Sequence, residues 1–346
     1  MRTVLTIGRL IDTLSELGKI LREPDQQLEE LIQLAEQYNG WFIPQNSRQA
    51  IAGIGGMLNR ENIEKWLTVE FEKVRPGKKH VYNIGLILAG NIPAVGFHDI
   101  LCVLVAGHRA LVKLSSQDQK LIPYIFQKLT DIEPAFDGQI EYVERLKNFD
   151  AVIATGSNNT SRYFEYYFKN VPHIIRKNRN SIAVLTGKES TNDLKQLGKD
   201  VFDYFGLGCR SVSKIYVPAG YDFKSFFEAI ESFNWIGNHN KYRNNYDYNK
   251  SIFLVNGDSH LDNGFLLLKQ DNALQSPLAT LYYETYDDLK SLEKKLVTLN
   301  NQIQCVVSAA PLKISNQQVY FGDSQKPKLW DYADGVNTMR FLFDVV

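Results

Sequence analysis

The stretch VYNIGLILA (81–89) constrains this chain more than any other. A near-continuous apolar run of strand length belongs to a strand buried on both faces, which is the situation inside a parallel sheet. Parallel neighbours need crossover connections, usually helices. The sequence that follows supplies them. A Gly-Asn-Ile-Pro turn (90–93) leads into a helix expected over Ala94–Ala106 and stopped by Gly107. RALVKL (109–114) reads as a second strand, and Gln117–Leu129 as a helix despite Pro123. EYVERL (141–146) and AVIAT (151–155) read as strands, Thr160–Lys169 as a helix, and 172–175 and 181–185 as strands. This alternation predicts an α/β domain around a mainly parallel sheet. The apolar span Ile84–Gly107 is read as buried strand plus buried helix, because Asn91, Pro93, His98 and Asp99 interrupt it as a membrane segment.

The second half repeats the theme less regularly. Thr191–Phe205 and Phe223–Phe233 read as helices around the strand SKIYVP (213–218). LATLYYETY (278–286), Asp287–Leu299 and QCVVSAA (304–310) form a strand–helix–strand unit. The Asn-, Tyr- and Gly-rich segment Asn234–Asn263 reads as loop with short elements, and 311–346 as short strands and turns. Ahead of the first strand, apolar residues recur at helical spacing in Leu10–Leu21 and in Leu28–Tyr38, the latter opened by Pro24. Ser47–Asn59 and Glu61–Val74 continue this helical prologue, which Pro76 and Gly77 close. A length of 346 residues suggests about two domains.

The charge balance is +0, with 39 basic against 39 acidic residues. That argues against a nucleic-acid partner, which needs a basic surface, and against a polybasic membrane anchor. Cys102, Cys209 and Cys305 lie far apart and form neither a disulfide framework nor a zinc motif. A reducing, cytoplasmic setting is the expectation, and the N-terminus lacks the uncharged apolar core of a signal peptide. The six histidines do not pair at metal spacing, so no metal is expected. The glycine clusters at 53–56 and 206–208 lack the preceding strand of a dinucleotide fingerprint. The basic run Lys169–Lys188 reads as a solvated face, with a phosphate-bearing ligand as the alternative.

Four features carry chemistry. Asn91 stands in the turn after the first buried strand, at the carboxyl end of a sheet where ligands bind. Its amide suits an oxyanion, and a simple turn residue is the alternative. Lys113, followed by Ser115, ends the second strand and suits a ribose or phosphate. Thr155-Gly156-Ser157 joins a strand to a helix and suits an anion, or Ser157 is an ordinary helix cap. Cys209 lies in Gly-Leu-Gly-Cys-Arg-Ser (206–211), a polar turn in which glycine lets a substrate approach the sulfur and Arg210 favours thiolate. Cys102 and Cys305 sit in apolar runs as core thiols.

In this order NIP, KLSS, TGS and GLGC resemble the aldehyde dehydrogenase superfamily, and SPLATLYYETYDDL (276–289) extends the likeness. VYFGDSQKPKLWDYADGVNTMRFL (319–342) is more specifically similar to the acyl-CoA reductases, the fatty-acid reductases of bacterial luminescence. The resemblance runs from about residue 80 to the end. It implies two open, mainly parallel α/β domains; the helical N-terminal segment, 1–79, lies outside the resemblance and is expected to pack on the first. The expected nucleotide domain is 80–186, joined by part of 311–346, and the expected catalytic domain is 187–310. It implies Cys209 as nucleophile, Asn91 as oxyanion donor, Lys113 and Ser115 at the adenosine ribose, and Thr155, Gly156 and Ser157 near the pyrophosphate. NADPH is the expected cofactor, with NADH the alternative. The resemblance also implies an acyl thioester as substrate, a partner enzyme that supplies the acyl group, and a homo-oligomer. Two acids of aldehyde-oxidising members are missing: 173–185 holds none, and Ala273 stands where the second would fall. Aldehyde oxidation and a non-catalytic nucleotide- or partner-binding role remain the alternatives.

Overall fold

The computed structural model describes residues 5–72 and 80–344. They divide into two compact units, Met1–Asn178 with Lys328–Val346, and Arg179–Pro327.

The first unit opens with four helices. In α1 (Ile7–Arg22) the Thr6 side chain caps the start, and Leu10, Leu14, Leu17 and Leu21 form the buried stripe. α2 (Gln26–Tyr38) is capped by Asp25, so Pro24 stands before the cap and not inside the first turn. α3 (Pro44–Met57) packs close against α1: a Cβ on Gly55 would lie 2.9 Å from the Gly18 carbonyl oxygen. α4 (Arg60–Phe71) completes the set, and the expected endpoint Val74 with its breakers Pro76 and Gly77 lies outside the described residues.

The sheet of this unit comprises β1 (Asn83–Ile87), β2 (Arg109–Lys113), β3 (Ile140–Tyr142), β4 (Ala151–Thr155) and β5 (His173–Arg176). All its pairings are parallel, in the order β3-β2-β1-β4-β5. The crossovers are α5 (Phe97–Val105), α6 (Leu121–Ile132) and α7 (Asn158–Phe168). α5 starts three residues later than its apolar pattern suggests. Ala94 takes φ +55° and its N–H is held at 2.7 Å by the Asp118 carboxylate, so the turn runs on to Gly96. Pro123 falls in the first turn of α6, where an absent N–H leaves no bond unmade.

Arg176 departs from the solvated-face reading of its basic run, while Lys169, Lys177 and Lys188 are exposed as that reading expects. Arg176 is buried, and its guanidinium meets both oxygens of Asp99, the Ala333 carbonyl (2.7 Å) and Thr338 Oγ1 (3.0 Å). The last two partners belong to the C-terminal segment, whose short helix Thr338–Asp344 buries Met339 and Leu342. Trp66 and Glu70 of α4 bind the Tyr332 hydroxyl of the same segment.

The second unit is built from β6 (Asn180–Val184), α8 (Thr191–Phe202), β7 (Val212–Pro218), α9 (Lys224–Ile230) and α10 (Asn240–Asn256). It continues through β8 (His260–Asp262), β9 (Leu267–Gln270), β10 (Thr280–Tyr286), α11 (Leu289–Thr298), β11 (Ile303–Val307) and β12 (Gln317–Val319). The strand order is β12-β11-β6-β7-β10-β9-β8, parallel throughout except for the edge pair β8–β9.

Two expectations fail here. Asn234–Asn263 is not mainly loop, because α10 fills 17 residues of it. Its buried face is Tyr242, Tyr246, Asn249 and Phe253, a helical spacing carried by tyrosine and asparagine instead of aliphatic residues. Gly257, at φ +69°, ends it. The helix expected to reach Phe205 ends at Phe202, since Tyr204 and Phe205 turn left-handed at φ +55° and +60°.

Candidate active site

In the first unit the sheet sets the geometry. Ile87 of β1 stands opposite both Lys113 of β2 and Ala154 of β4, so the three strands end level. The chain moves one way from β1 to β3 and the other way through β4 and β5, which makes the β1/β4 boundary the point where strand order reverses. Crevices at the carboxyl ends of such a boundary bind ligands in open α/β sheets.

Asn91 lies just past β1, half-buried, and its side-chain amide makes no hydrogen bond among the described residues. The turn carrying it is held by other groups. The Gly90 carbonyl accepts from Asn39 Nδ2 at 3.3 Å, and Asp118 takes the Ala94 N–H. Burial pushes the Asp118 carboxyl up, against the pull of the Ala94 and Leu121 backbone N–H groups. A Cβ on Gly90 would lie 2.4 Å from Ser115 Oγ, so only glycine lets this turn settle on the end of β2. Ser115 is thereby part of the turn's floor, and its Oγ also accepts the Gln117 N–H. Lys113 is exposed at the strand end. On the far side, Thr155 closes β4, and Ser157 caps α7 by accepting the Thr160 N–H at 3.3 Å. Gly156 sits close over that helix, where a Cβ would meet Phe164 and Thr160 at 3.0 Å. Six of the seven residues singled out from sequence thus gather at this end of the sheet. Neither Asn39 nor Asp118 was foreseen.

The seventh, Cys209, lies in the second unit. The Ser211 N–H binds the Gly208 carbonyl at 3.2 Å, closing a turn with Cys209 and Arg210 at its corner. The approach to that corner is left-handed at Tyr204, Phe205, Gly206 (φ +75°) and Gly208 (φ +117°). Bulky residues at positive φ cost roughly 1–3 kcal/mol each and persist only where packing imposes them. Phe205 is fully buried, 4.2 Å from the His239 ring and 6.2 Å from those of Trp235 and Tyr242. The Arg210 guanidinium binds the Ser324 carbonyl (3.1 Å) and Gln317 Oε1 (2.9 Å). Cys102 and Cys305 are buried, and burial drives the Cys102 thiol well up, away from its reactive form.

The loop that receives Arg210 is tied from below by Asp200 of α8, which accepts the N–H groups of Gly322 (2.7 Å) and Ser324 (3.0 Å). Burial raises this carboxyl from 3.8 to about 6, although both N–H bonds pull it down. The folded chain therefore holds more protons than the unfolded one between these values. Asp200 adds about 3 kcal/mol below about pH 4 that is lost as pH rises through about 6. The stability difference between wild type and Asp200→Asn, measured by urea unfolding, should shrink across that window and stay level above about pH 7.

Among the described residues no three His, Cys, Asp or Glu side chains gather to hold a metal ion, and no helix is long and apolar enough to cross a membrane. A model of the acyl-CoA reductase (LuxC) family matches residues 48–232, more than half of the chain. The chain belongs to that family. The matched region contains Asn91, Lys113, Ser115, Thr155, Gly156, Ser157 and Cys209. It begins inside α3, so it reaches further into the helical prologue than the motifs suggested. The chain is thus an oxidoreductase acting on acyl or aldehyde groups.

The fold is that of the aldehyde dehydrogenases. Aldehyde dehydrogenase 21 of Physcomitrella patens, solved with its reaction product succinate, is similar with a TM-score of 0.69 and 10% identity, over 99% of this chain and 85% of that one. The NAD+ complex of the Bacillus cereus aldehyde dehydrogenase gives 0.65 and 13% identity over 91% and 76%. That of the Mycobacterium tuberculosis enzyme gives 0.63 and 13% over 91% and 77%. No curated protein sequence gives a significant match.

Proposed function

We propose that this acyl-CoA reductase family member reduces an activated fatty acyl group, a CoA or protein thioester, to an aldehyde through an acyl-cysteine on Cys209. The observation that carries this reading is the cysteine itself, held at the corner of a turn whose approach is left-handed at four residues. The Cys209 thiolate bonds to the acyl carbon, and the thiol of the donor leaves as thiolate and takes a proton from water. With no acid in 173–185, this chain lacks the carboxylate that in aldehyde-oxidising members would activate water against the acyl-cysteine. The acyl carbon instead accepts hydride. The resulting thiohemiacetal anion collapses, breaking the C–S bond, releasing aldehyde and restoring the thiolate. The Asn91 amide and the Cys209 N–H are the donors we assign to the oxyanion.

Reduced nicotinamide dinucleotide supplies the hydride when bound. The end of the first sheet suits such a ligand, with Lys113 and Ser115 toward the adenosine ribose and Thr155, Gly156 and Ser157 toward the pyrophosphate. NADPH is favoured by the exposed cation at 113, which would meet a 2′-phosphate. Lys113→Glu should then raise the NADPH KM by about tenfold or more and leave NADH nearly unaffected, since a charge-assisted hydrogen bond is at stake. Equal changes for both cofactors would remove the preference.

The test is to mix the purified chain with a long-chain acyl-CoA, with and without NADPH. Labelled acyl transfer to protein without cofactor, and aldehyde formation with it, are expected. Acid formation from aldehyde and NAD(P)+, with no thioester reduction, would instead favour oxidation. An NADPH-induced rise in melting temperature without turnover of any thioester would favour a binding role. We further propose, from the family resemblance, that the chain forms a homo-oligomer in the cytoplasm and works beside an enzyme that supplies the acyl group. Its mass in solution checks the first part.

A further inference from the structure

One fully buried hydroxyl touches the nucleophile turn and has no part in the chemistry above. Ser181, near the start of β6, donates its Oγ–H to the Cys209 carbonyl at 2.8 Å. The same Oγ lies 3.1 Å from Cys305 Sγ on the neighbouring strand β11. A serine hydroxyl carries one proton and two acceptor sites. The Cys209 carbonyl can only accept, so the serine proton goes there and the Cys305 thiol is the donor behind it. The chain is Cys305 S–H to Ser181 O–H to Cys209 C=O.

The sheet is irregular at this level on both sides. Ser181 pairs with Val212 but Ile182 pairs with Lys214, which leaves one extra residue on β7. Asn180 pairs with Ile303 but Ile182 pairs with Val306, which leaves one extra residue on β11, in the stretch that holds Cys305. Bulges re-aim side chains and are rare in parallel pairs. Here two flank the same serine.

We infer that Ser181 is a positioning residue for Cys209, with Cys305 orienting its hydroxyl. Tying the Cys209 carbonyl to β6 fixes ψ at Cys209, and with it the direction of the peptide and side chain at the turn's corner. The inference rests on the acyl-cysteine reading, and gives buried Cys305 a role beyond filling the core.

The experiment is single-turnover acylation with labelled long-chain acyl-CoA, together with melting temperature and the pH profile of Cys209 alkylation. For Ser181→Ala we expect a folded protein whose acylation rate falls on the order of 10²-fold at saturating substrate, as for a misaimed reactive group, with KM little changed. Ser181→Thr keeps the hydroxyl and should recover most of that rate. A folded Ser181→Ala that acylates like wild type overturns the inference, as does equal impairment of the alanine and threonine variants. Should Ser181→Ala not fold, Cys305→Ala decides: it frees the serine hydroxyl to turn and should slow acylation severalfold at constant KM, and an unchanged rate overturns the inference. If wild type itself takes no label, the acyl-cysteine reading fails and carries this one with it. A labelled wild type beside an unaffected Ser181→Ala removes this inference alone.

Discussion

Cys209→Ala should take up no labelled acyl group and should consume no NADPH above background. Loss of a catalytic nucleophile costs about 10⁴-fold or more, because no other group can form the covalent intermediate. The variant should still fold. The left-handed path into the turn is set by Tyr204, by Phe205, which buried aromatic contacts anchor, and by Gly206 and Gly208. The Cys209 contribution to Ser181 is its backbone carbonyl, which alanine retains. The contrast is Cys102→Ala. That thiol is buried in α5 and pushed well up by desolvation, so its loss should cost stability, about 1 kcal/mol for a small buried side chain, and spare acylation. Equal labelling of wild type and Cys209→Ala, or loss of labelling in Cys102→Ala at full folding, would move the nucleophile elsewhere.

What the sequence made legible follows from which physics is local. The buried strands β1, β2 and β4 announced themselves as apolar runs, since a strand covered on both faces has no polar positions. The turns after them were legible for the same reason: Gly, Asn and Ser at strand ends have specific backbone uses. α10 was not legible. Its buried positions are Tyr242, Tyr246, Asn249 and Phe253, and a reading keyed to aliphatic residues sees only polar sequence. That helix and the residues just before it also supply the rings around Phe205. The segment that looked least structured therefore holds the approach to Cys209. Arg176 misled in the opposite direction. Nothing local distinguishes it from Lys177 beside it, which pairs with Glu165 in solvent. What buries Arg176 is Asp99, 77 residues away, and the C-terminal segment. Asn39, Asp118 and Ser181 act on their turns across the fold as well, and single polar residues at such separations leave no pattern in a sequence.

Asn91→Ala separates a catalytic amide from a turn residue. Removing one donor from an oxyanion site costs about 10²–10³ in rate, and we expect a loss of that size in acylation and in hydride transfer alike, since both steps place negative charge on the same oxygen. Melting temperature and the NADPH KM should scarcely move. The reason lies in how the turn is built. Its shape depends on the Gly90 carbonyl bound to Asn39, the Ala94 N–H bound to Asp118, and the fit of Gly90 on Ser115. None of these uses the Asn91 side chain. Asn91→Asp is the sharper variant, because it keeps the volume, removes the donor and places a carboxylate against a developing oxyanion; it should be slower than alanine. If Asn91 serves only the backbone, alanine and aspartate should both lower the melting temperature and leave the acylation rate of the folded fraction intact.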